Sequence, residues 1–249
     1  MSTRIGVVLF PGTNCEHDVV WAVKSIGGST ELLWHADPDL RGVDAVVLPG
    51  GFAHGDYLRT GAIARFSPVM DAVSTFAAEG GPVVGICNGF QILTEAGLLP
   101  GALQKNAGLK FRCQTVEVRV ETTASVLTSL CEPGQILRIP INHFEGNFVC
   151  DPETLARLRA EDQVVFRYVD NPNGSIDDIA GICNEAGNVV GLMPHPERAC
   201  EEVLGSADGA ALLRSLLTRA PGGSGVSPGV RGGVGVSPDV TVAAGRPGH

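Results

Sequence analysis

Short apolar runs alternate with amphipathic segments along the first hundred residues of the chain. The apolar runs are rich in β-branched residues, as buried strands are, and the segments between them carry apolar residues at helical spacing: RIGVVLF, EHDVVWAVKSIG, STELLWHA, DAVVLPGG, FSPVMDAVSTFAAEG and PVVGIC. This alternation predicts an α/β fold with a mostly parallel central sheet and helices on both faces. We expect the loops at Pro11, Gly51 and Cys87 to meet at the edge where these strands end.

From about Thr115 the pattern changes, and few helical segments separate the apolar runs. These runs predict additional, antiparallel strands of the same domain: QTVEVRVE, QILRIPINHF, QVVFRYVD, DIAGIC and NVVGLMPHP. A closing helix, SADGAALLRSLLTRA, ends the domain, to which we assign residues 1–220. Residues 221–249 hold nine Gly, four Pro and three Ser, too few bulky side chains to offset the entropy of ordering, so we expect a flexible tail there.

Composition and charge narrow the class of protein. A chain of 249 residues with 44% hydrophobic content can fill a substantial core, and a net charge of −9 without any Lys/Arg-rich run argues against a nucleic-acid partner. The apolar stretch near the N-terminus is too short for a signal sequence or a membrane span, so we expect no membrane partner. The seven cysteines lack C-x-x-C spacing, which favours reduced thiols in a cytoplasmic protein over disulfides or zinc ligands.

Cys87 stands between the apolar run PVVGI and the helical segment NGFQILTEAGLL. In the sequence GICNG the small flanking residues let a strand and a helix crowd together, as at a nucleophile elbow. The N-terminus of a helix stabilises a thiolate, and the backbone N–H of Asn88 faces the place where an oxyanion would form. Two other interpretations stay open at this point, a buried structural cysteine and a glycine-rich phosphate loop.

His195 is the best candidate for a base, because it follows the strand-like run GNVVGLM. The prolines on either side of His195 are expected to hold the segment extended, so that the Glu197 carboxylate can bond and orient the imidazole. The alternative is a solvated surface loop. Among the other histidines, His54 and His143 lie on glycine-containing loops where they could touch a substrate, and no histidine or cysteine spacing indicates a metal site.

A second glycine-rich loop, LPGGFAHGDYLRTG at 48–61, follows the third predicted strand. It lacks the Lys and Ser/Thr of a Walker loop, so it does not indicate an ATP site. The backbone N–H groups of Gly51 and Phe52 would suit the other half of an oxyanion hole. An ordinary tight turn is the alternative.

The motifs PGGF, GICNGFQ and MPHPER, in that order, resemble those of the triad (class I) glutamine amidotransferases. FPGTNCEHD, PGGFAHGDYLRTGAIA and CNGFQILTEAGLLPG are similar to segments of one branch, the glutaminase subunits of phosphoribosylformylglycinamidine synthases in purine synthesis. The resemblance implies the nucleophile Cys87, the proton carrier His195 and its orienting residue Glu197. It further implies an oxyanion and substrate site formed by Gly51, Phe52, Asn88, Gln91 and His143. One loop departs from the family pattern: PINHFEG stands where P-I-A-H-G-E-G is common.

The same resemblance implies partners and the absence of a cofactor in this chain. L-glutamine would be the substrate, and ammonia would pass to a large synthetase subunit that binds ATP and magnesium, with a small third subunit completing the complex. Two alternatives remain: another triad amidotransferase, and a redox sensor or chaperone that keeps the same cysteine elbow. The redox reading leaves the sequence His195-Pro196-Glu197 unexplained.

Overall fold

The computed structural model describes residues 3–219, so the predicted flexible tail at 221–249 lies outside the described residues. Eleven strands and five α-helices occur in this part of the chain. In chain order they are β1 Arg4–Leu9, α1 Glu16–Ser25, β2 Ser29–Trp34, β3 Ala45–Leu48, α2 Pro68–Ala78, β4 Val83–Ile86, α3 Asn88–Glu95, β5 Ala102–Gln104, β6 Arg112–Val120, β7 Ile136–His143, β8 Asn147–Val149, α4 Pro152–Ala160, β9 Val164–Tyr168, β10 Ile179–Cys183, β11 Val189–Leu192 and α5 Gly209–Arg219.

Nine of these strands form one mixed sheet in the order β2-β1-β3-β4-β11-β10-β9-β6-β7. The first five strands in that order run parallel to one another, and the other four are added with antiparallel pairing. A separate two-stranded ribbon pairs β5 with β8. The predicted α/β class, with a parallel centre and antiparallel additions, is confirmed.

The centre of the sheet is covered on both sides. Every residue of β3, β4, β10 and β11 is buried, although alternate side chains of a strand point to opposite faces. Helix α3 packs on β3, β4 and β11, while α1 packs on β1 and β2 and also contacts α5. The core therefore surrounds the strand ends that carry the candidate site. No helix within residues 3–219 is long and apolar enough to cross a membrane.

The pairing of β11 corrects one expectation. The run NVVGLMPHP was grouped with the antiparallel additions, but β11 pairs in parallel with β4 on one side and antiparallel with β10 on the other. An apolar run does not encode the direction of its partner, which only the packed sheet decides. Parallel pairing brings the carboxyl end of β11 beside that of β4, where Cys87 N–H donates to Leu192 O at 2.8 Å.

Helix α4 and the β5–β8 ribbon were not among the predicted elements. The start of α4 does carry a recognisable signal: Asp151 is the N-cap residue, its carboxylate accepts from Thr154 N–H at 2.8 Å, and Pro152 occupies the first turn. The ribbon strands have three residues each, too few to show a hydrophobic period.

Candidate active site

Cys87 occupies a sharp, strained turn between β4 and α3. Its backbone angles, φ 52° and ψ −103°, are unfavourable for an L-residue, and it is the N-cap residue of α3. The strand and the helix approach each other so closely at this turn that only glycine fits at Gly85 and Gly89. A Cβ at Gly89 would stand 1.9 Å from Leu48 O, and a Cβ at Gly85 would stand 2.6 Å from the carbonyl carbon of Gly89. The elbow geometry inferred from GICNG is therefore present.

The imidazole of His195 is held from several directions. Its Nδ1 lies 2.6 Å from Glu197 Oε1, and both side chains are almost fully buried, at 1% and 2% exposure. Its backbone N–H donates to Pro140 O of β7 at 2.8 Å. Gly50 packs on the ring, since a Cβ there would stand 2.7 Å from Cε1. These contacts fix the ring plane and leave Nε2 as the nitrogen without a hydrogen-bond partner in residues 3–219.

The local backbone at this site differs from the expected extended segment. Pro196–Arg198 forms a 3₁₀ turn, with His195 as the residue that precedes it. Pro196 at the first position of the turn has a fixed φ suited to helical geometry, and it has no N–H that needs an acceptor. The contact between His195 and Glu197 thus arises across a turn and not along a strand.

The charges around His195 favour its protonated form. Burial alone lowers the pKa of His195, but the Glu197 carboxylate and the Cys87 sulfur outweigh burial and raise the pKa well above its ordinary value. The sulfur of Cys15 contributes in the same direction. An imidazolium beside Cys87 is the charge state that accompanies a thiolate nucleophile.

The backbone donors predicted for an oxyanion differ in their availability. Phe52 N–H already donates to Gly12 O at 2.9 Å, which makes it a poor candidate donor. No acceptor in the described residues is assigned to Gly51 N–H, and Asn88 opens α3, where the first N–H groups lack intrahelical acceptors. Gly51 and Asn88 are therefore the better pair, with Phe52 serving to tie the two loops together.

Asn88 and Gln91 link three segments of the site through their side chains. Ala53 N–H donates to Asn88 Oδ1 at 3.0 Å, Asn88 Nδ2 donates to Gln91 Oε1 at 2.9 Å, and Gln91 Nε2 donates to Glu145 O. Gln91 was expected to hold the substrate. It lines the candidate cavity, and both ends of its amide are bonded to the protein, so its contact with a substrate stays a prediction.

His143 reaches the same cavity from the end of β7, whereas His54 does not line it. Asn106 Oδ1 accepts a hydrogen bond from Gly146 N–H. His143 Nδ1 lies 3.1 Å from the same oxygen, and because that oxygen can only accept, Nδ1 is the donor. Burial, and then the neighbouring charge of His195, lowers the pKa of His143 to about 4. The ring is neutral at pH 7, and its Nε2 is an acceptor with no partner in the described part of the chain.

The cavity beside Cys87 has a volume of about 330 Å³, a size suited to one small ligand. Cys87, Gln91 and His143 line it together with Gly51 and Phe52. The loop that departs from the family pattern also contributes: Cys87 Sγ lies 3.8 Å from Asn142 O, and Phe144 forms part of the wall. Sequence reasoning missed the charged members of the wall, which are Asp56, Arg59, Lys105 and Glu145.

Behind His195, a second cysteine belongs to the site. Arg198 Nη2 lies 3.1 Å from Cys15 Sγ, and Arg198 Nε donates to Asp18 Oδ2 at 3.0 Å. Donor atoms of Cys15, His195 and Glu197 lie within 4.8 Å of one another, the spacing of a metal site. However, Cys15 is already bonded to the Arg198 guanidinium, and His195 is bonded to Glu197. The positive charge of Arg198 would also repel a metal ion, so we interpret these contacts as holding the His195 ring in place.

The parallel half-sheet, the strained cysteine and the buried His195–Glu197 pair define a class of protein. A profile of the CobB/CobQ-like glutamine amidotransferase domain matches residues 2–210, and the chain belongs to that family. Among solved structures, that of a glutamine amidotransferase from Thermotoga maritima has the same fold, with a TM-score of 0.58 at 18% identity, covering 88% of this chain and 98% of that one.

More specific relatives share far more of the sequence. Phosphoribosylformylglycinamidine synthase subunit PurQ of Rubrobacter xylanophilus is 59% identical over 217 residues, which cover 87% of this chain and 99% of the relative. The subunit of the same name from Synechococcus elongatus is 58% identical, covering 86% and 97%. The structure of PurLQS from Thermotoga maritima contains a chain with a TM-score of 0.81 and 42% identity, covering 88% of this chain and 99% of that one.

Proposed function

We propose that this chain hydrolyses L-glutamine and passes the ammonia to a synthetase subunit that converts formylglycinamide ribonucleotide to formylglycinamidine ribonucleotide. The relatives named PurQ match nearly their whole length, which supports this assignment. The observation that carries the chemistry is the strained Cys87 at the head of α3, beside an imidazole whose Nδ1 lies 2.6 Å from a buried carboxylate.

In the first half of the proposed reaction, the Cys87 thiolate attacks the carboxamide carbon of glutamine. The carbonyl π electrons move to oxygen, and the N–H groups of Gly51 and Asn88 bind the resulting oxyanion. The imidazolium of His195 gives its Nε2 proton to the amide nitrogen, the C–N bond breaks, and ammonia leaves a thioester on Cys87. Glu197 holds the ring so that Nε2 is the nitrogen that transfers the proton.

In the second half, His195 accepts a proton from water as the hydroxide attacks the thioester carbon. The second tetrahedral oxyanion collapses, the C–S bond breaks, and glutamate leaves with Cys87 again as the thiolate and His195 again as the imidazolium. The same two groups therefore serve both steps, and the chain needs no cofactor of its own for this chemistry.

The proposal includes a division of labour between subunits. ATP and magnesium would bind on the larger synthetase, and a small third subunit would complete the complex. The seven cysteines are all unpaired, which supports a cytoplasmic location for the assembly. An exposed apolar group beside the cavity, comprising Tyr57 and Leu58 at 75% and 87% exposure, is a surface that partner docking would cover.

The test uses the complex reconstituted with its synthetase partner and compares wild type with Cys87→Ala. We expect the variant to lose glutamine-dependent synthesis by at least a thousandfold while synthesis from added ammonium chloride stays within twofold. The matched control is Cys113→Ala, which removes an exposed thiol outside the site. If Cys87→Ala lost the ammonia-dependent reaction as well, Cys87 would not be the glutaminase nucleophile.

A redox role for the same cysteine is the second candidate, and the environment of His195 argues against it. A sensor thiol needs no base with a buried carboxylate behind it, yet Glu197 is 2% exposed and bonded to the ring. Labelling of Cys87 by a glutamine-analogue electrophile, blocked by L-glutamine, is expected from the amidotransferase and not from a sensor.

A further inference from the structure

The cavity beside Cys87 has two carboxylates in its wall that the proposed hydrolysis does not use. Asp56 comes from the loop after β3, and Glu145 comes from the loop after β7. They are close enough to repel each other: burial, and then the charge of Glu145, raises the pKa of Asp56 to about 6. Two negative charges that face one cavity destabilise the unliganded chain, because they repel each other. A bound cation would remove this repulsion.

Asp56 carries further marks of a group reserved for a ligand. Its Oδ1 atom is buried and has no hydrogen-bond partner in residues 3–219. Its backbone has φ 55°, and it is the last of three consecutive residues with positive φ, after His54 and Gly55. An unsatisfied carboxylate oxygen on strained backbone lowers the stability of the fold. Groups that lower stability in this way concentrate at binding sites, where a ligand satisfies them.

A third acceptor faces the same cavity. The His143 side chain is 3% exposed, and its Nε2 has no partner in the described residues. Because Nδ1 donates to Asn106, Nε2 presents a lone pair. A primary ammonium group has three N–H donors, and two carboxylates with a neutral imidazole nitrogen supply acceptors for them.

One cation in the wall completes the pattern. Lys105 lines the cavity, and no carboxylate of the described residues lies within ion-pair distance of it, whereas Arg59 is bonded to Glu95. The cavity thus offers negative groups and an available positive group to a single small ligand. That charge pattern complements an α-amino acid zwitterion.

We propose that Asp56 and Glu145 bind the α-ammonium group of L-glutamine, and that Lys105 faces its α-carboxylate. This assignment rests on the proposed function, and it names the residues that select a free amino acid over other carboxamides. Asp56 makes the larger contribution, because its buried Oδ1 has no other hydrogen-bond partner in the described residues. His143 accepts the remaining ammonium N–H. Neither carboxylate takes part in bond making or breaking.

The test measures hydrolysis by the chain assembled with its synthetase partner, using two substrates. One is L-glutamine, and the other is 4-carbamoylbutanoate, which keeps the carboxamide and the carboxylate but lacks the α-amino group. We expect wild type to prefer glutamine by roughly 10- to 100-fold in kcat/KM, the range for hydrogen bonds to charged groups. In Asp56→Asn, KM for glutamine should rise about tenfold or more while kcat stays within about threefold.

The same variant should hydrolyse 4-carbamoylbutanoate as well as wild type does, because the lost contact involves only the amino group. Glu145→Gln should show the same selective loss, smaller in size. The matched control is Glu79→Gln, which removes an exposed carboxylate at the end of α2, outside the cavity, and should change neither substrate.

Three outcomes would overturn the assignment. An unchanged KM for glutamine in Asp56→Asn would be one, and an equal fall in kcat/KM for both substrates, which indicates a structural role, would be another. Equal kcat/KM values of the wild type for the two substrates would also contradict the assignment. Hydrolysis of neither substrate by wild type would instead refute the proposed function, so the two failures are distinguishable.

The pH dependence of KM for glutamine gives a second test, because a purely structural role of Asp56 would not change it. The other titratable groups that line the cavity with Asp56 are Glu145, Lys105, His143, Arg59 and Cys87. Protonation of Asp56 removes one negative acceptor, so KM for glutamine should rise as pH falls below about 6 in wild type. Asp56→Asn should abolish this rise, because its KM is already high at pH 7. A profile that is the same in both proteins would contradict the assignment.

Discussion

Gly50 packs directly on the imidazole of His195, and a Cβ at Gly50 would stand 2.7 Å from Cε1 and 3.0 Å from Cys15 Sγ. This contact joins the loop after β3 to the loop after β11. The ring has 1% exposure and its Nδ1 is bonded to Glu197, so it has no room to retreat. Gly50 therefore helps to set the position of the His195 ring, although it contributes no chemical group.

Gly50→Ala should reduce glutamine hydrolysis strongly, by roughly a hundredfold, because a small displacement of a catalytic group has an effect of that size. The measurement is kcat in the assembled complex, with thermal unfolding as a check on folding. Gly108→Ala is the matched control, since a Cβ there meets only the flexible end of Arg112, at 3.3 Å. Full activity in Gly50→Ala would show that the ring tolerates displacement.

Cys15→Ala should shift the alkaline limb of the kcat/KM profile to lower pH. The groups around His195 are Glu197, Cys87, Cys15 and His143, and Cys15 is one of those that raise the pKa of His195. Without that contribution the imidazolium loses its proton at a lower pH. Cys15→Ser keeps a polar atom in the same place and should restore part of the shift. A profile that is the same as wild type in both variants would assign Cys15 to packing alone.

Asp56→Asn should make the protein more stable although it weakens glutamine binding. The pKa of Asp56 in the fold, about 6, lies above its ordinary value of 3.8, so the ionised form destabilises the fold. Stability should therefore increase as pH falls through 6 toward 3.8, and this increase should be absent in the variant. At pH 7 we expect a gain on the order of 1 kcal/mol after discounting for solvent screening, or about 2–4 °C in Tm. A lower Tm at pH 7 would contradict this reading.

Gly89→Ala should destabilise the elbow, because a Cβ there would overlap Leu48 O at 1.9 Å, and the two nearest atoms belong to the main chain of β3, which cannot rotate away. We expect a loss of about 3 kcal/mol or more in the free energy of unfolding, at the upper end for overpacked cores. Urea unfolding of Gly89→Ala and Gly108→Ala measures the difference. Equal midpoints in the two variants would mean that α3 can move away from β3 without cost.

The sequence predicted the features that depend on local pattern. The β-branched runs predicted the parallel strands, and the glycines around Cys87 predicted a crowded strand-to-helix turn. The motif MPHPER indicated the pairing of His195 with Glu197, although the backbone between them forms a 3₁₀ turn. Helix α4 was not predicted despite the capping residue Asp151, because a helix in which only Leu158 is fully buried has no apolar run to mark it.

By itself, the sequence determined the class of fold and pointed to Cys87 as the candidate nucleophile with His195 and Glu197 to serve it, because each depends on side-chain chemistry and on spacing along the chain. Only the tertiary structure decided that β11 lies parallel to β4, that Phe52 N–H is already bonded, and that Asp56 and Glu145 face one cavity. These are contacts between residues far apart in the chain. They arise from how the sheet and its loops pack together, and no local pattern of residues records which distant group a backbone N–H or a carboxylate will meet.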